Sequence, residues 1–393
     1  MKINIEPIDS PSRLKSVCDQ LKNHDIIAFD TEFIREKTYH PELALIQLAT
    51  EEGGWLIDVL AFEIEELECL FEVLTAPNIL KILHSAYGDQ ECIYSTYGVT
   101  ATPTLDTFES ASLLGYGESV SLRDLIFKTL NIKIPKFLTR TNWLKRPISD
   151  EMKEYAMADV LHLVEIGKKL IAGLEKAGRK DWAFELSAQF EKKKLYEADP
   201  TEMARRMAKS GRISAKTYPI FQDLIAWRES RAKKVNVPRR RIADDDTLIN
   251  IAHSRPQNED QLQKFRGINP REASRQSQTI LEIIHKNRSN NNYTLPTPPK
   301  VTKPSPQQSR VIDFLSTYLK AICQEHRVAS RLIFTVKELQ KIVVDNLQDP
   351  KQWVELGLCS PQACKLVGED IVAVLHGKRG LTVGNGQLQI LKF

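Results

Sequence analysis

The stretch Ile26-Ile27-Ala28-Phe29-Asp30-Thr31-Glu32-Phe33 constrains this chain most, because it begins as a buried strand and ends in two carboxylates. Side chains alternate along a strand, so Asp30 and Glu32 project from one face while Phe29, Thr31 and Phe33 project from the other. Two acids on one face repel unless a cation lies between them. A hard dication with oxygen ligands would neutralise the pair, making it half of a candidate magnesium or manganese site. The competing reading is a strand end whose acids are solvated or cap the next turn, and further convergent acids decide between them.

The surrounding order predicts an α/β domain. Ser10-Pro11-Ser12 ahead of Leu14, Val17, Cys18 and Leu21 predicts a capped helix feeding the acidic strand. After a polar loop, Leu43 to Ala49 is a second strand, turned by Glu52-Gly53-Gly54 into Trp55 to Val59. Leu67, Leu70, Phe71 and Leu74 predict a helix ending before Pro77, and Ile79 to Leu83 is a short apolar strand. Strands followed by helices in this way build a mixed sheet flanked by helices. Asp89 falls where that last strand gives way to a helix, a place where α/β sheets gather ligands, although an aspartate helix cap reads the same. His84 suits a core or substrate contact better than a hard metal. Tyr155 and Asp159, four apart in a helix expected from about Ser149 to Leu170, share one helix face.

Taken in order, Phe29-Asp30-Thr31-Glu32-Phe33, Leu83-His84-Ser85-Ala86-Tyr87-Gly88-Asp89 and Tyr155-Ala156-Met157-Ala158-Asp159 resemble the three motifs of the DEDD exonuclease superfamily. The branch they resemble is the one with tyrosine in the last motif, and specifically the ribonuclease D family. Ser121-Leu122-Arg123-Asp124-Leu125 and Arg140-Thr141-Asn142-Trp143-Leu144-Lys145-Arg146-Pro147 are similar to the same family, with Asn142 where its pattern has aspartate. The resemblance covers the first two hundred residues. It implies a ribonuclease H-like mixed sheet and a metal-dependent 3′-to-5′ exoribonuclease that releases nucleoside 5′-monophosphates. By the same resemblance Asp30, Glu32, Asp89 and Asp159 would hold two divalent cations, Mg2+ or Mn2+, with Asp30 bridging them. Tyr155 would orient or deprotonate the attacking water, and a phenol that titrates near about pH 10 favours orientation. Thr31, Phe33 and His84 are expected near the terminal nucleotide. Lys136, Arg140 and Trp143 lie in the loop before the last motif, where they would meet phosphates or bases or form a solvated loop.

The net charge of +4 hides a strong asymmetry: residues 1–200 carry −10, residues 201–310 carry +12 and residues 311–393 carry +2. Acid excess beside base excess suits an enzyme holding metal in one part and phosphates in the next. Phe221, Leu224, Ile225 and Trp227 predict an amphipathic helix that runs into a basic stretch broken at Pro238. Trp227-Arg228-Glu229 and Asn236-Val237-Pro238-Arg239 there resemble an HRDC domain. A polar, proline-rich stretch then leads to a last helical unit resembling a second, divergent HRDC repeat, with a tail from Gly377 that forms a small hairpin or lies on the surface. The expected division is an exonuclease domain over 1–205, an HRDC domain over 212–289, a linker over 290–308 and an HRDC-like domain over 309–393. So the fold class expected is an α/β exonuclease domain followed by two small all-α units.

No apolar run approaches a membrane span and the start lacks the parts of a signal peptide, which makes the cytoplasm the expected compartment. The six cysteines are scattered without metal spacing and are expected to be reduced. The expected partner is RNA, with transfer RNA precursors carrying 3′ extensions as the family's implied substrate, and the expected state is a monomer. Two rivals stay open. One is a DNA 3′-to-5′ exonuclease, since nothing in the acidic motifs reads a 2′-hydroxyl; the other is a catalytically silent RNA-binding protein.

Overall fold

The computed structural model describes residues 2–134, 141–208, 211–288 and 303–393. The alternating apolar stretches of the first part form a six-stranded sheet from β1 (Lys2–Ile8), β2 (Ile26–Ile34), β3 (Glu42–Ala49), β4 (Gly53–Ile57), β5 (Leu80–Leu83) and β6 (Thr104–Asp106). Their spatial order is β1-β4-β3-β2-β5-β6, with β2, β3 and β4 antiparallel in succession and the remaining pairings parallel. The sheet is mixed, as expected. Alternation divides the strands between two cores. Ile27, Phe29, Ile46 and Leu48 pack under α1 (Pro11–Leu21), α2 (Glu68–Thr75) and α3 (Tyr87–Tyr97). After α4 (Thr107–Ser112) and α5 (Leu122–Leu130), the other face, with Ala28, Leu45, Ala49 and Leu56, is covered by α6 (Asp150–Leu161), α7 (Leu163–Lys176) and α8 (Lys180–Ala188).

The single helix expected from Ser149 to Leu170 is two. His162, at φ −103° and ψ −5°, ends α6 and starts α7. The break lets α6 cross β1 to β4 while α7 packs on β2 and β5. At that crossing Gly167 admits Ile82, whose Cδ1 would lie 2.9 Å from an added Cβ.

Helices α9 (Pro200–Ala208), α10 (Tyr218–Lys234), α11 (Arg239–Ile242), α12 (Asp245–Ser254), α13 (Glu259–Leu262), α14 (Pro270–Arg275) and α15 (Ser277–Lys286) surround a core of their own that includes Phe221, Leu224, Ile225, Leu248 and Ile280. The last unit holds α16 (Pro306–Glu325), α17 (Val336–Val344), α18 (Pro350–Glu355), α19 (Pro361–Leu375) and a hairpin of β7 (Arg379–Gly384) and β8 (Gln387–Lys392). Helix α16 begins inside the stretch expected to be linker. Ser305 and Gln308 close a capping box there, and Pro306 occupies the first turn, where a missing N–H costs nothing. Most of the expected linker lies outside the described residues.

Two clamps tie the helical units to the sheet domain. Tyr39, in the loop after β2, donates its hydroxyl to Glu229 at 2.9 Å and its N–H to the Asn236 side chain at 3.1 Å. On the far side Arg331 donates to Glu109 at 3.2 Å and Ser112 at 2.8 Å, and its guanidinium lies 4.6 Å from the Phe108 ring centroid. The core of the last unit, with Leu315, Tyr318 and Trp353, is continuous with the core under α6 to α8. All six cysteines are free thiols, and no helix among the described residues is long and apolar enough to cross a membrane.

Candidate active site

Strand β2 outruns its neighbour. Its pairing with β5 covers Ile26 to Ala28, whereas its pairing with β3 continues to Ile34. Past Ala28, one edge of β2 therefore presents backbone groups without a strand beside them. Thr31 meets that need by donating its N–H, at 3.0 Å, and its hydroxyl, at 2.6 Å, to the same Oδ1 of Asp89. Asp89 lies in the first turn of α3, where the helix dipole favours a carboxylate. The turn between β5 and α3 hangs on Asp106, which accepts the N–H groups of Ser85 and Ala86, each at 3.0 Å, and caps α4 through the Phe108 N–H at 2.8 Å. Ser85 sits at a φ of 64°, and those bonds hold it there.

From the opposite face of β2, Asp30 and Glu32 converge with Asp159 of α6, one oxygen of each lying within 4.8 Å of the others. Ser149 caps that helix by accepting the Met152 N–H at 3.3 Å. Gly54 lets α6 approach the sheet, since an added Cβ would stand 2.5 Å from the Met157 sulfur. One turn before Asp159, Tyr155 is hydrogen-bonded to it. The ring of Trp143 backs Tyr155 at 6.0 Å between centroids and 39° between planes. Arg146 fixes the Trp143 loop by donating to the Trp143 carbonyl at 2.7 Å and to both oxygens of Asp58, at 2.6 and 2.5 Å. Asn142 accepts the Leu144 N–H at 3.2 Å, a turn bond that an aspartate oxygen would also make.

Electrostatics make this cluster a poor resting place for bare charge. Burial, and then the neighbouring acids, push Asp30 well up and Glu32 up to about 9. Burial lifts Asp89 to about 7 against the bonds from Thr31, and lifts Asp159 to about 6 against the bond from Tyr155. Burial and the carboxylates of Asp159 and Glu32 also raise the Tyr155 phenol. Asp30, Glu32 and Asp159, which repel one another and offer only oxygen, fit a hard divalent cation, while Asp89, held by Thr31, stands outside that group of three.

The sequence-predicted residues around the acids fall in distinct places. Phe33 lies over Gly88, where an added Cβ would meet its ring at 3.4 Å. His84 is half-buried and pairs its Nδ1 with the Thr107 hydroxyl at 2.9 Å, with its ring edge-on to Phe108; burial depresses it to about 4, so it is neutral. Trp143 is buried, its ring turned to Tyr155. Lys136 and Arg140 lie outside the described residues. Sequence reasoning missed Asp106, Asp58 and Arg146 as residues that hold the site. The signal for Asp106 was an aspartate closing the short Thr104-Leu105 strand, in the same position relative to its helix as a cap.

Comparison with known proteins places this geometry. Residues 5–175 match a 3′-5′ exonuclease family and residues 219–284 match the HRDC domain. Ribonuclease D of Nitrobacter hamburgensis is 31% identical over 97% of this chain and 98% of its own length. The chain belongs to the ribonuclease D family. Ribonuclease D of Bartonella henselae is also 31% identical, over 94% of this chain and 89% of its own length. The crystal structure of Escherichia coli RNase D shares the fold, with a TM-score of 0.78 and 24% identity over 95% of this chain and 99% of that one. As a ribonuclease D, the chain is a hydrolytic 3′-to-5′ exoribonuclease whose exonuclease fold is generally dependent on divalent metal. The DNA-exonuclease and silent-binder readings give way to this membership.

Proposed function

We propose that Asp30, Glu32, Asp89 and Asp159 hold two divalent cations, Mg2+ or Mn2+, and that the enzyme trims the 3′ ends of structured RNA, transfer RNA precursors above all. The observation that carries this is the convergence of Asp30, Glu32 and Asp159, with Tyr155 bonded to Asp159, at the open end of β2, where Thr31 also holds Asp89. When bound, the cations supply a water of lowered pKa and neutralise charge on the attacked phosphate and the leaving oxygen. The protein's own groups do the rest. Tyr155, whose raised pKa keeps it protonated, orients the attacking water while Trp143 holds its ring in place. Water attacks the terminal phosphorus, the bond from phosphorus to the preceding O3′ breaks, and a nucleoside 5′-monophosphate leaves as O3′ gains a proton. Thr31 keeps Asp89 turned toward the strand end, and Phe33 with His84 borders the terminal nucleotide.

Lys136 and Arg140 would meet the phosphates behind that nucleotide. The excess of positive charge over residues 201–310 supports RNA contact through phosphates by the HRDC unit. We divide the chain into an exonuclease domain over 1–205, HRDC units over 212–289 and 309–393, and a linker over 290–308. The protein acts in this reading as a cytoplasmic monomer. The E. coli relative is described as an exoribonuclease involved in structured RNA processing, which supports the choice of substrate class.

The test uses a 3′-extended transfer RNA labelled separately at each end, beside single strands of matched RNA and DNA. Stepwise loss of the 3′ label as mononucleotides, faster on RNA than on DNA and halting near the mature end, is the expected result. Trimming of the single strands with the transfer RNA untouched would overturn the substrate assignment while leaving the chemistry in place.

A further inference from the structure

Gln47 stands directly across the β2–β3 ladder from Asp30. Residues opposite one another on antiparallel strands project from the same face with Cβ atoms about 4.5–5.5 Å apart, so the Gln47 side chain runs beside that of Asp30 under α6. Its partner on the other side is Leu56 of β4. The surrounding face is apolar, with Ala28, Leu45 and Ala49 on the strands and Ala156 and Met157 above. Gln47 is 0% exposed, and among the described residues neither its amide nitrogen nor its amide oxygen has a hydrogen-bond partner. A buried amide left unpaired is costly, and a methionine fills a similar volume with nothing to satisfy. Packing alone therefore argues against glutamine at this position.

We propose that Gln47 is a positioning residue whose Nε2–H donates to the Asp30 carboxylate when Asp30 holds a cation, fixing the rotamer that faces Glu32 and Asp159. The inference rests on the reading of Asp30 as a cation ligand. A neutral amide is the group this place calls for. Lysine or arginine there would compete with the cation, and glutamate would add another repelling carboxylate. The amide offers a donor without a charge. Ligands to metals are commonly oriented by hydrogen bonds of this kind from behind.

The test compares Mn2+ binding to the full, chelator-stripped chain by isothermal titration calorimetry, for the wild type, Asp30→Asn, Gln47→Met and Gln47→Asn, with melting of each cation-free protein. Binding by the wild type that Asp30→Asn abolishes establishes the underlying reading on its own; a wild type that binds no Mn2+ overturns that reading and this inference with it. For Gln47→Met the expected result is a melting temperature equal to or above wild type with Mn2+ affinity at least fivefold weaker, and a lowered kcat at little-changed KM for single-stranded RNA. A well-folded Gln47→Met that binds Mn2+ within twofold of wild type would overturn it. Should Gln47→Met fail to fold, Gln47→Asn, which withdraws the amide by one methylene, is read the same way: weaker binding supports the role and wild-type binding overturns it.

Discussion

Asp30, Glu32, Asp89 and Asp159 all hold their protons more tightly in the cation-free fold than an exposed carboxyl would, and that has a signed consequence for stability. Their folded-state pKa values stand above the reference near about 4, so the folded protein binds more protons than the unfolded one. The stability they contribute is complete below the reference value and is lost as pH rises through about 6 for Asp159, about 7 for Asp89 and about 9 for Glu32. Bound cations need the ionised groups, so their stabilisation runs the other way. We expect the melting temperature in chelator to fall across this window while the increment gained on adding Mg2+ grows. An increment that shrinks with rising pH would contradict the ligand assignment. Tyr155→Phe tests the orienting role: we expect kcat to fall about 100-fold, with Mn2+ affinity and KM within a few-fold of wild type. That Asp30 and Glu32 share one strand face and Tyr155 and Asp159 one helix face was legible in the sequence, because the strand and helix periods fix those spacings. Asp106 and Gln47 were not, since their meaning lies in which N–H groups or carboxylate stand opposite them in space.

At the scale of elements, the site depends on a turn and a short helix that carry no catalytic group. Asp106 joins β6, the β5–α3 turn and α4 through three N–H bonds, and is buried. Asp106→Asn keeps an oxygen for Ser85 and Phe108 but turns its NH2 toward the Ala86 N–H. We expect a loss of about 1–3 kcal/mol in stability, with weakened Mn2+ binding because the turn sets Asp89; equilibrium urea unfolding and calorimetry read the two effects. Unchanged metal binding in a destabilised protein would remove Asp106 from the site's support. Periodicity predicted the strands and most helices because each buries one face. It joined α6 to α7, because the apolar spacing carries on through His162 while the strands beneath change from β1, β2, β3 and β4 under α6 to β2 and β5 under α7. Pro306 was assigned to the linker on composition, whereas its local capping box makes it a helix start.

At the scale of the molecule, both helical units are anchored close to the site. Tyr39 leaves β2's loop for Glu229, and Arg331 covers α4, whose cap Asp106 sets the Asp89 turn. Arg331→Ala removes the pair with the largely buried Glu109 and the stack on Phe108. We expect a loss of about 1–3 kcal/mol and faster amide exchange in residues 107–118 and 326–334. Exchange unchanged in both segments would show the clamp to be dispensable. These contacts were beyond sequence reasoning, since each joins residues about two hundred positions apart with no pattern linking them. The most direct test of the whole account is release of nucleotides from a 5′-labelled single-stranded RNA by wild type and Asp30→Asn, with Mg2+ or Mn2+ and with chelator. The account predicts a ladder shortening one nucleotide at a time from the 3′ end, lost in chelator and lost in Asp30→Asn under every condition. A ladder that survives either the chelator or the substitution would contradict a metal-bearing carboxylate site at the end of β2.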